Sequence, residues 1–298
     1  YKKKKLSKHS YTTKFTNNNI RINPQGAPDG CKKEQTVQLP KLGEISFAMP
    51  KKSNNVKLSS LDKLKQGIAR ITKATISQNG NRYYVSLAIE EVVDLITPLD
   101  ITTIDYSKII GLDLGIKTFA IVNDGTDTSE IANPKYLKKA QKKLRKLNKS
   151  LSRKQEDSKN YLKAKNKLNE HHSFISNQRK DFLHKLSRQL VNENQVIIVE
   201  NLNIKGMIKN KHLSKAISDA GWAMFINFLE YKLNWEGKKL IKVDRFYASS
   251  KLCHVCGEKN VMLTLNDRQW TCSKCGTKHD RDENASINIR TEGIKQIK

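Results

Sequence analysis

No run of apolar residues in this chain approaches the roughly 20 that a membrane-spanning helix needs. Its first residues do not form the charged, apolar and small-residue succession of a secretory signal. A membrane partner is therefore not expected. The chain is also poor in cysteine. Four of its five cysteines fall in two pairs near the C-terminus and the fifth, Cys31, stands alone, which speaks against a disulfide framework. Metal-bound thiolates in a reducing compartment fit that distribution, so an intracellular protein is expected, with Cys31 an idle thiol. Acid is scarce as well: 29 Asp and Glu face 56 Lys and Arg, a formal net charge of +27. A folded chain tolerates such an excess best when an anionic polymer neutralises it, which makes nucleic acid the leading partner. What is not lacking is core material, since 37% hydrophobic residues over 298 positions can fill two or three packed units.

The first hundred or so residues read as β-rich. Lys73 to Gln78 and Arg82 to Glu90 flank Asn79-Gly80, a strong two-residue hairpin signal, and Val85, Leu87 and Ile89 alternate with smaller or polar residues. Val37 to Phe47 reads as another pair of short strands around the turn at Gly43. A small barrel or sandwich is expected here, serving as a nucleic-acid platform or as a purely structural module.

From Ile109 the pattern changes. Ile109 to Leu114 and Thr118 to Val122 are apolar strand candidates separated by Gly115. A lysine-dense segment, about 134–192, carries leucines at helical spacing and predicts a helical hairpin, with Leu144, Leu147 and Leu151 on one arm and Leu183, Leu186 and Leu190 on the other. Its lysines suit phosphate contact slightly better than a merely solvated face. Gln195 to Val199 looks like a strand buried on both faces. One helix is expected from about Ser214 to Glu236, stopped by Gly237, with Trp222, Phe225, Phe228 and Tyr231 as core, and a further strand at Leu240 to Asp244.

The strongest chemical signal is Cys253-x-x-Cys256, fifteen residues, then Cys272-x-x-Cys275, each pair followed by glycine. Each knuckle places two thiolates on one metal, and two knuckles close a tetrahedral structural Zn²⁺ site with no open position. His279 would join as a ligand only if a cysteine were displaced, which is not expected. Asp113 interrupts an apolar strand, where an ionised carboxylate is costly without a compensating partner. Glu200 ends another such strand, and Asp282 opens a helix over Asn284 to Ile289. Taken singly, these are a turn residue, a surface charge and a helix cap. Taken together in a basic chain, they suggest carboxylates converging at one edge of a mixed sheet. Such a cluster binds two Mg²⁺ or Mn²⁺ ions for phosphodiester hydrolysis.

The motif set Gly111-Leu-Asp113-Leu-Gly115-Ile-Lys117, Val199-Glu200-Asn201-Leu202, and the four-cysteine ribbon followed by Asp280-Arg-Asp282-Glu-Asn284-Ala285 resembles the TnpB (OrfB) family of bacterial insertion-sequence proteins. Ser218 to Trp222, Leu229 to Lys232 and Leu39 to Gly43 extend the resemblance, which spans about 10–290. It implies an α/β fold: an RNase H-like RuvC domain of mixed sheet and helices with an inserted zinc ribbon, preceded by a small β-barrel-like domain. The implied layout is a wedge-like nucleic-acid-binding domain at 1–105, RuvC segments at 106–248 and 278–298, and a target-nucleic-acid-binding ribbon at 249–277. The implied function is that of a transposon-encoded RNA-guided DNA endonuclease related to the ancestors of type V CRISPR effectors. Asp113, Glu200 and Asp282 would be its magnesium-binding catalytic acids, with Asp282 preferred over its neighbour Asp280. Cys253, Cys256, Cys272 and Cys275 would be its zinc ligands. Guide RNA from the transposon end and target DNA would be its partners, and the cytoplasm, close to the nucleoid, its location. Family members usually carry roughly a hundred further residues upstream, and Tyr1-Lys-Lys-Lys-Lys5 reads as the interior of a longer protein. The alternative is a truncated or repurposed relative that binds nucleic acid without cutting.

Overall fold

The computed structural model describes residues 10–14, 16, 19–23, 35–48, 60–79, 82–93, 96–264 and 266–297. Tyr1 to Lys5, Cys31, Gly80 and Asn81 lie outside them. The chain divides into two compact units, Tyr1–Leu95 and Ile96–Lys298.

The first unit holds β1 (Ser10–Lys14), β2 (Arg21–Asn23), β3 (Gln35–Leu39), β4 (Gly43–Phe47), a short helix α1 (Ser60–Lys65), β5 (Ala69–Asn79) and β6 (Arg82–Glu91). They form two three-stranded antiparallel sheets, β1-β5-β6 and β2-β3-β4. The expected hairpin is present, since β5 and β6 pair up to Asn79 opposite Arg82, and Val85, Leu87 and Ile89 turn to the partly buried side. Both sheets feed one small core of Ile20, Val37, Leu39, Ile71 and Ala74.

The second unit is built on a five-stranded mixed sheet in the order β11-β10-β7-β8-β9, made by β7 (Ile109–Leu114), β8 (Thr118–Asn123), β9 (Thr128–Ala132), β10 (Val196–Glu200) and β11 (Lys239–Val243). β7, β10 and β11 run parallel, and β8 and β9 return antiparallel. Between β9 and β10 come α2 (Tyr136–Ser152) and α3 (Lys159–Glu193), the expected helical hairpin. A short turn of helix α4 (Ile204–Met207), α5 (Ser214–Ala220) and α6 (Trp222–Trp235) lead into β11. Two small strands, β12 (Gln269–Thr271) and β13 (Lys278–Asp280), belong to the cysteine-rich segment, and α7 (Arg281–Lys295) closes the chain.

Residue parity decides what each face of the sheet meets. Val196, Ile197, Ile198 and Val199 are all 0% exposed, as a continuous apolar strand requires. Ile110, Leu112, Leu114, Ile197 and Val199 face a core completed by Leu183, Leu186, Leu190, Phe225, Leu229 and Leu233 from α3 and α6. Ile109, Val196, Ile198 and Val243 face the other way, toward Ile289 and Ile297 of the C-terminal segment. Each such fully buried aliphatic contributes about 1.5 to 3 kcal/mol. Gly111 belongs to this second face. A Cβ there would stand 2.6 Å from the Ser286 carbonyl oxygen and from the Arg290 Cβ, so its absence is what lets α7 lie close on the sheet.

Three local features differ from the sequence-based expectations. The single helix expected over Ser214 to Glu236 is two helices, because Gly221 takes φ +72° and ends α5 as α6 begins. Gly237, at φ +67°, is the stop that was expected. The edge strand β9 carries no apolar alternation and was not anticipated. The leucines of the lysine-rich segment serve two cores, Leu144 packing with Leu168 and Ile175 between α2 and α3, and Leu183, Leu186 and Leu190 packing on the sheet. Lys138, Lys139, Lys142, Lys143, Lys146 and Lys149 of α2 stay exposed.

Candidate active site and metal centre

Strand parity brings two of the three acids together. Asp113 and Glu200 share the parity of Ile109 and Ile198, so both point to the face that α7 covers. Register places them side by side, since Leu112 pairs with Val199 on adjacent parallel strands. Asp282 arrives from the first turn of α7, whose macrodipole favours carboxylates at that end. The proximity is electrostatic as well as topological. Burial pushes the Asp113 carboxyl from its ordinary 3.8 up to about 8, with the charges of Glu200 and then Asp282 adding to the rise. Burial also raises Glu200, against the lowering effect of a short hydrogen bond from the Ser249 hydroxyl to its Oε1.

Asp280 and Asp282 separate cleanly. Asp280 is the N-cap of α7, its Oδ1 accepting from the backbone N–H of Asp282 at 3.0 Å and of Glu283 at 3.2 Å. That leaves the Asp282 side chain available, and it meets two guanidinium groups, Arg268 at 2.9 Å and Arg281 at 3.3 Å. The same arginines oppose the rise at Asp113.

The four cysteines form a tighter group. Among the described residues, theirs are the ligand atoms gathered within 4.8 Å of one another, and the three carboxylates are not drawn together so closely. Cys253 Sγ lies 3.6 Å from Cys275 Sγ and Cys256 Sγ lies 3.5 Å from Cys272 Sγ. Four thiolates on one Zn²⁺ at about 2.3 Å would be roughly 3.8 Å apart, so the donor set fits a metal ion such as zinc. Gly257 and Gly276 follow the knuckles in the left-handed conformation at φ +75° and +72°. The four thiols are polarised unevenly: hydrogen bonds from Thr277 draw Cys275 down to about 6, while Cys256, against a lowering hydrogen bond from the Glu258 backbone, is pushed up to about 12 by burial and by hydrogen bonds with the neighbouring cysteines.

Sequence reasoning missed the residues that tie the two groups to each other. Ser249 holds Glu200 through its hydroxyl, while its carbonyl accepts from Asn288 Nδ2 at 2.8 Å. Asn284 and Asn288 both donate to the Leu252 carbonyl at 2.7 Å, and Asn284 Oδ1 accepts the His254 N–H at 3.1 Å. The first cysteine knuckle is thus stitched to α7. His279, 4% exposed, sets Nε2 3.1 Å from Cys253 Sγ beside the four cysteines. Only the Asp-x-Asn-Ala pattern hinted at any of this, through Asn284. A groove of about 810 Å³ lies elsewhere, along β9 and α3, and none of the three acids lines it. Asp113 and Glu200 sit toward the carboxyl ends of the parallel strands β7 and β10, the usual ligand position in such sheets.

Comparison with known proteins agrees with this layout. A family described as "Probable transposase" (OrfB_IS605) matches residues 98–211, and the "Cas12f1-like, TNB domain" family matches residues 222–289. Two relatives named "Putative RNA-guided DNA endonuclease" come from Streptomyces pristinaespiralis, 41% identical over 76% of this chain and 54% of the relative, and from Escherichia coli K12 (InsQ), 28% identical over 89% and 65%. The chain spans between about half and two thirds of the length of these relatives. The cryo-EM structure of a Cas12f1-sgRNA-target DNA complex shares the fold at a TM-score of 0.57 and 17% identity, covering 94% of this chain and 58% of that one. Motifs, cysteine cluster, family matches and relatives converge: the chain belongs to the TnpB (OrfB) family of insertion-sequence proteins.

Proposed function

We propose that this chain is the nuclease portion of a transposon-encoded RNA-guided DNA endonuclease, with Asp113, Glu200 and Asp282 as its metal-binding catalytic acids. The observation that carries the reading is the delivery of three acids by β7, β10 and α7 to one place, where Glu200 and Asp282 add to the raised proton affinity of buried Asp113, in a chain of net charge +27. A buried carboxyl whose proton affinity is raised by burial and by two neighbouring acids makes a site that gains from a cation. Mg²⁺ or Mn²⁺ bound there would supply an activated water and stabilise the leaving oxygen. The chain's own residues do the rest. Asp113 and Glu200 are fixed by the strand register, and Ser249 orients Glu200. Arg268 and Arg281 give positive charge beside Asp282, where a phosphodiester would approach.

In this reading the mixed sheet is an RNase H-like RuvC domain, made of 106–248 and 278–298. The segment 249–277 is a zinc ribbon that contacts target nucleic acid, with Zn²⁺ held by Cys253, Cys256, Cys272 and Cys275. Residues 1–105 are a wedge-like nucleic-acid-binding domain. The partners are a guide RNA from the transposon end and a target DNA, bound in part by the exposed lysines of α2.

The test is cleavage of a matching DNA by protein co-expressed with its element's flanking transcript, in Mg²⁺, alongside Asp113→Ala. Cutting by the parent alone, with RNA and DNA retained by both, is expected. Losing a charge stabilisation of several kcal/mol should lower the rate at least about a thousandfold. If neither protein cuts while both retain RNA, the chain is a non-cleaving binding relative.

A further inference from the structure

The loop 244–249 leaves the sheet beside Glu200 and comes back to it. Val243, the last residue of β11, pairs with Glu200 across parallel strands, and the Asn201 N–H donates to the Val243 carbonyl at 3.0 Å. Five residues beyond Asp244, the Ser249 hydroxyl closes on the Glu200 carboxylate. Between these anchors the chain makes a tight turn, with Tyr247 N–H donating to the Asp244 carbonyl at 3.1 Å and Phe246 N–H to Asp244 Oδ1 at 2.8 Å. Arg245 and Phe246 are therefore the corner residues of a turn pinned at both ends to the strand that carries Glu200.

The two adjacent aromatics of this turn behave oppositely. Tyr247 packs into the core beneath α7, whereas Phe246 is 85% exposed. An aromatic ring in water gains nothing for the fold, and this one stands beside a cation, the Arg245 guanidinium 5.5 Å from its centroid. A flat ring beside an arginine, on a rigid support, is the arrangement on which bases of an unpaired strand stack while the cation meets the backbone. Three residues of chain reach at most about 10 Å, so Phe246 lies within one or two nucleotides of the carboxylates.

We propose that Phe246, with Arg245, is a base-stacking step that holds single-stranded DNA beside the carboxylate cluster. The proposal rests on the nuclease reading for its substrate class, and it assigns Phe246 a binding role rather than a catalytic one. Base stacking tolerates any sequence, as a nuclease guided by another molecule requires.

The test uses the full chain in the Asp113→Ala background, without added divalent cation, and short single-stranded DNA carrying one 2-aminopurine. Fluorescence is read at raised salt, where the general attraction of a basic chain for phosphate is weakened. The Phe246 protein should quench the 2-aminopurine, and Phe246→Ala and Phe246→Leu should abolish the quenching and weaken affinity roughly 5- to 150-fold. Phe246→Trp should restore both, and thermal unfolding should be unchanged throughout because the ring is exposed. Equal quenching and affinity in Phe246→Ala would overturn the proposal, and so would Leu matching the parent, which would mean a merely apolar contact such as a protein partner makes. A parent that stacks the strand but never cuts would overturn the nuclease reading and leave the stacking step standing. A parent that cuts while Phe246→Ala stacks equally well would overturn the stacking step alone.

Discussion

The four cysteines lie within one short segment of chain, whereas the three carboxylates are spread over positions 113, 200 and 282, and the two groups are made in different ways. Each pair of cysteines sits on one turn two residues long, closed by its own backbone bonds, Gly257 N–H to Cys253 O at 2.8 Å and Gly276 N–H to Cys272 O at 3.0 Å. Local chain geometry pairs the sulfurs within each knuckle, and packing of the two knuckles brings Cys253 to 3.6 Å from Cys275 and Cys256 to 3.5 Å from Cys272. The carboxylates come from two strands and a helix and stay further apart; burial raises Asp113 and Glu200, and the charges of Glu200 and Asp282 raise Asp113 further. A site made of two locally formed knuckles needs one packing step to complete its ligand set, whereas the acids stay near each other only because the sheet and α7 hold them.

The largest effect expected from breaking this contrast is on the ribbon. Replacing Cys272 by Ser, or stripping the metal with a chelator, should remove most of the folding energy of residues 253–275, because metal binding in so small a ribbon is folding free energy. Hydrogen exchange there should rise by orders of magnitude while β7 and β10 keep their protection. A protected ribbon after confirmed metal loss would show that it folds by packing alone.

A middle-sized effect is expected at Asp113. Its pKa near 8 in the metal-free fold lies above the ordinary 3.8, so the folded state holds a proton that the unfolded chain releases. Stability of the metal-free protein should therefore fall as pH rises from about 4 to about 8 and then level. Asp113→Asn should remove that fall and raise Tm at pH 8 to 9 by roughly 2 to 6 °C, while Mg²⁺ should stabilise the parent and not the variant. Identical pH–Tm curves for parent and variant would mean that Asp113 is not strained.

The smallest effect is expected at the Arg268 and Asp282 pair, whose side chains are 49% and 29% exposed. Surface ion pairs are worth about 0 to 1 kcal/mol, so Arg268→Gln should move Tm by less than about 3 °C. A larger loss would make that pair a true link between ribbon and helix.

Much of this organisation was legible beforehand. Asn79-Gly80 marked the β5 and β6 hairpin, the apolar run at Gln195 to Val199 marked the interior strand β10, and paired cysteine spacing marked the metal-ligand cluster, because each signal acts over a few neighbouring residues. Gly221 was not read as a helix break because the apolar stripe runs across it, and only its left-handed backbone reveals the division. Ser249 gave no signal, since a serine in a loop acquires meaning only when Glu200 is beside it. Phe246 was equally silent, because an aromatic in sequence reads as core until its neighbour Tyr247 is found to have taken that place.

What the sequence by itself determined is the list of parts: alternating and continuous apolar strands, a lysine-rich helical pair, two cysteine knuckles and three acids in a fixed order. Tertiary structure decided which of those parts meet. Strand parity turned Asp113 and Glu200 to one face, the missing side chain at Gly111 let α7 come down on it, and Asp280 took the cap so that Asp282 was left to the cluster. The reason is the range of the forces. Propensity and metal-ligand spacing act within a few residues of chain, whereas burial, desolvation and charge repulsion depend on distances in space that sequence separation does not encode.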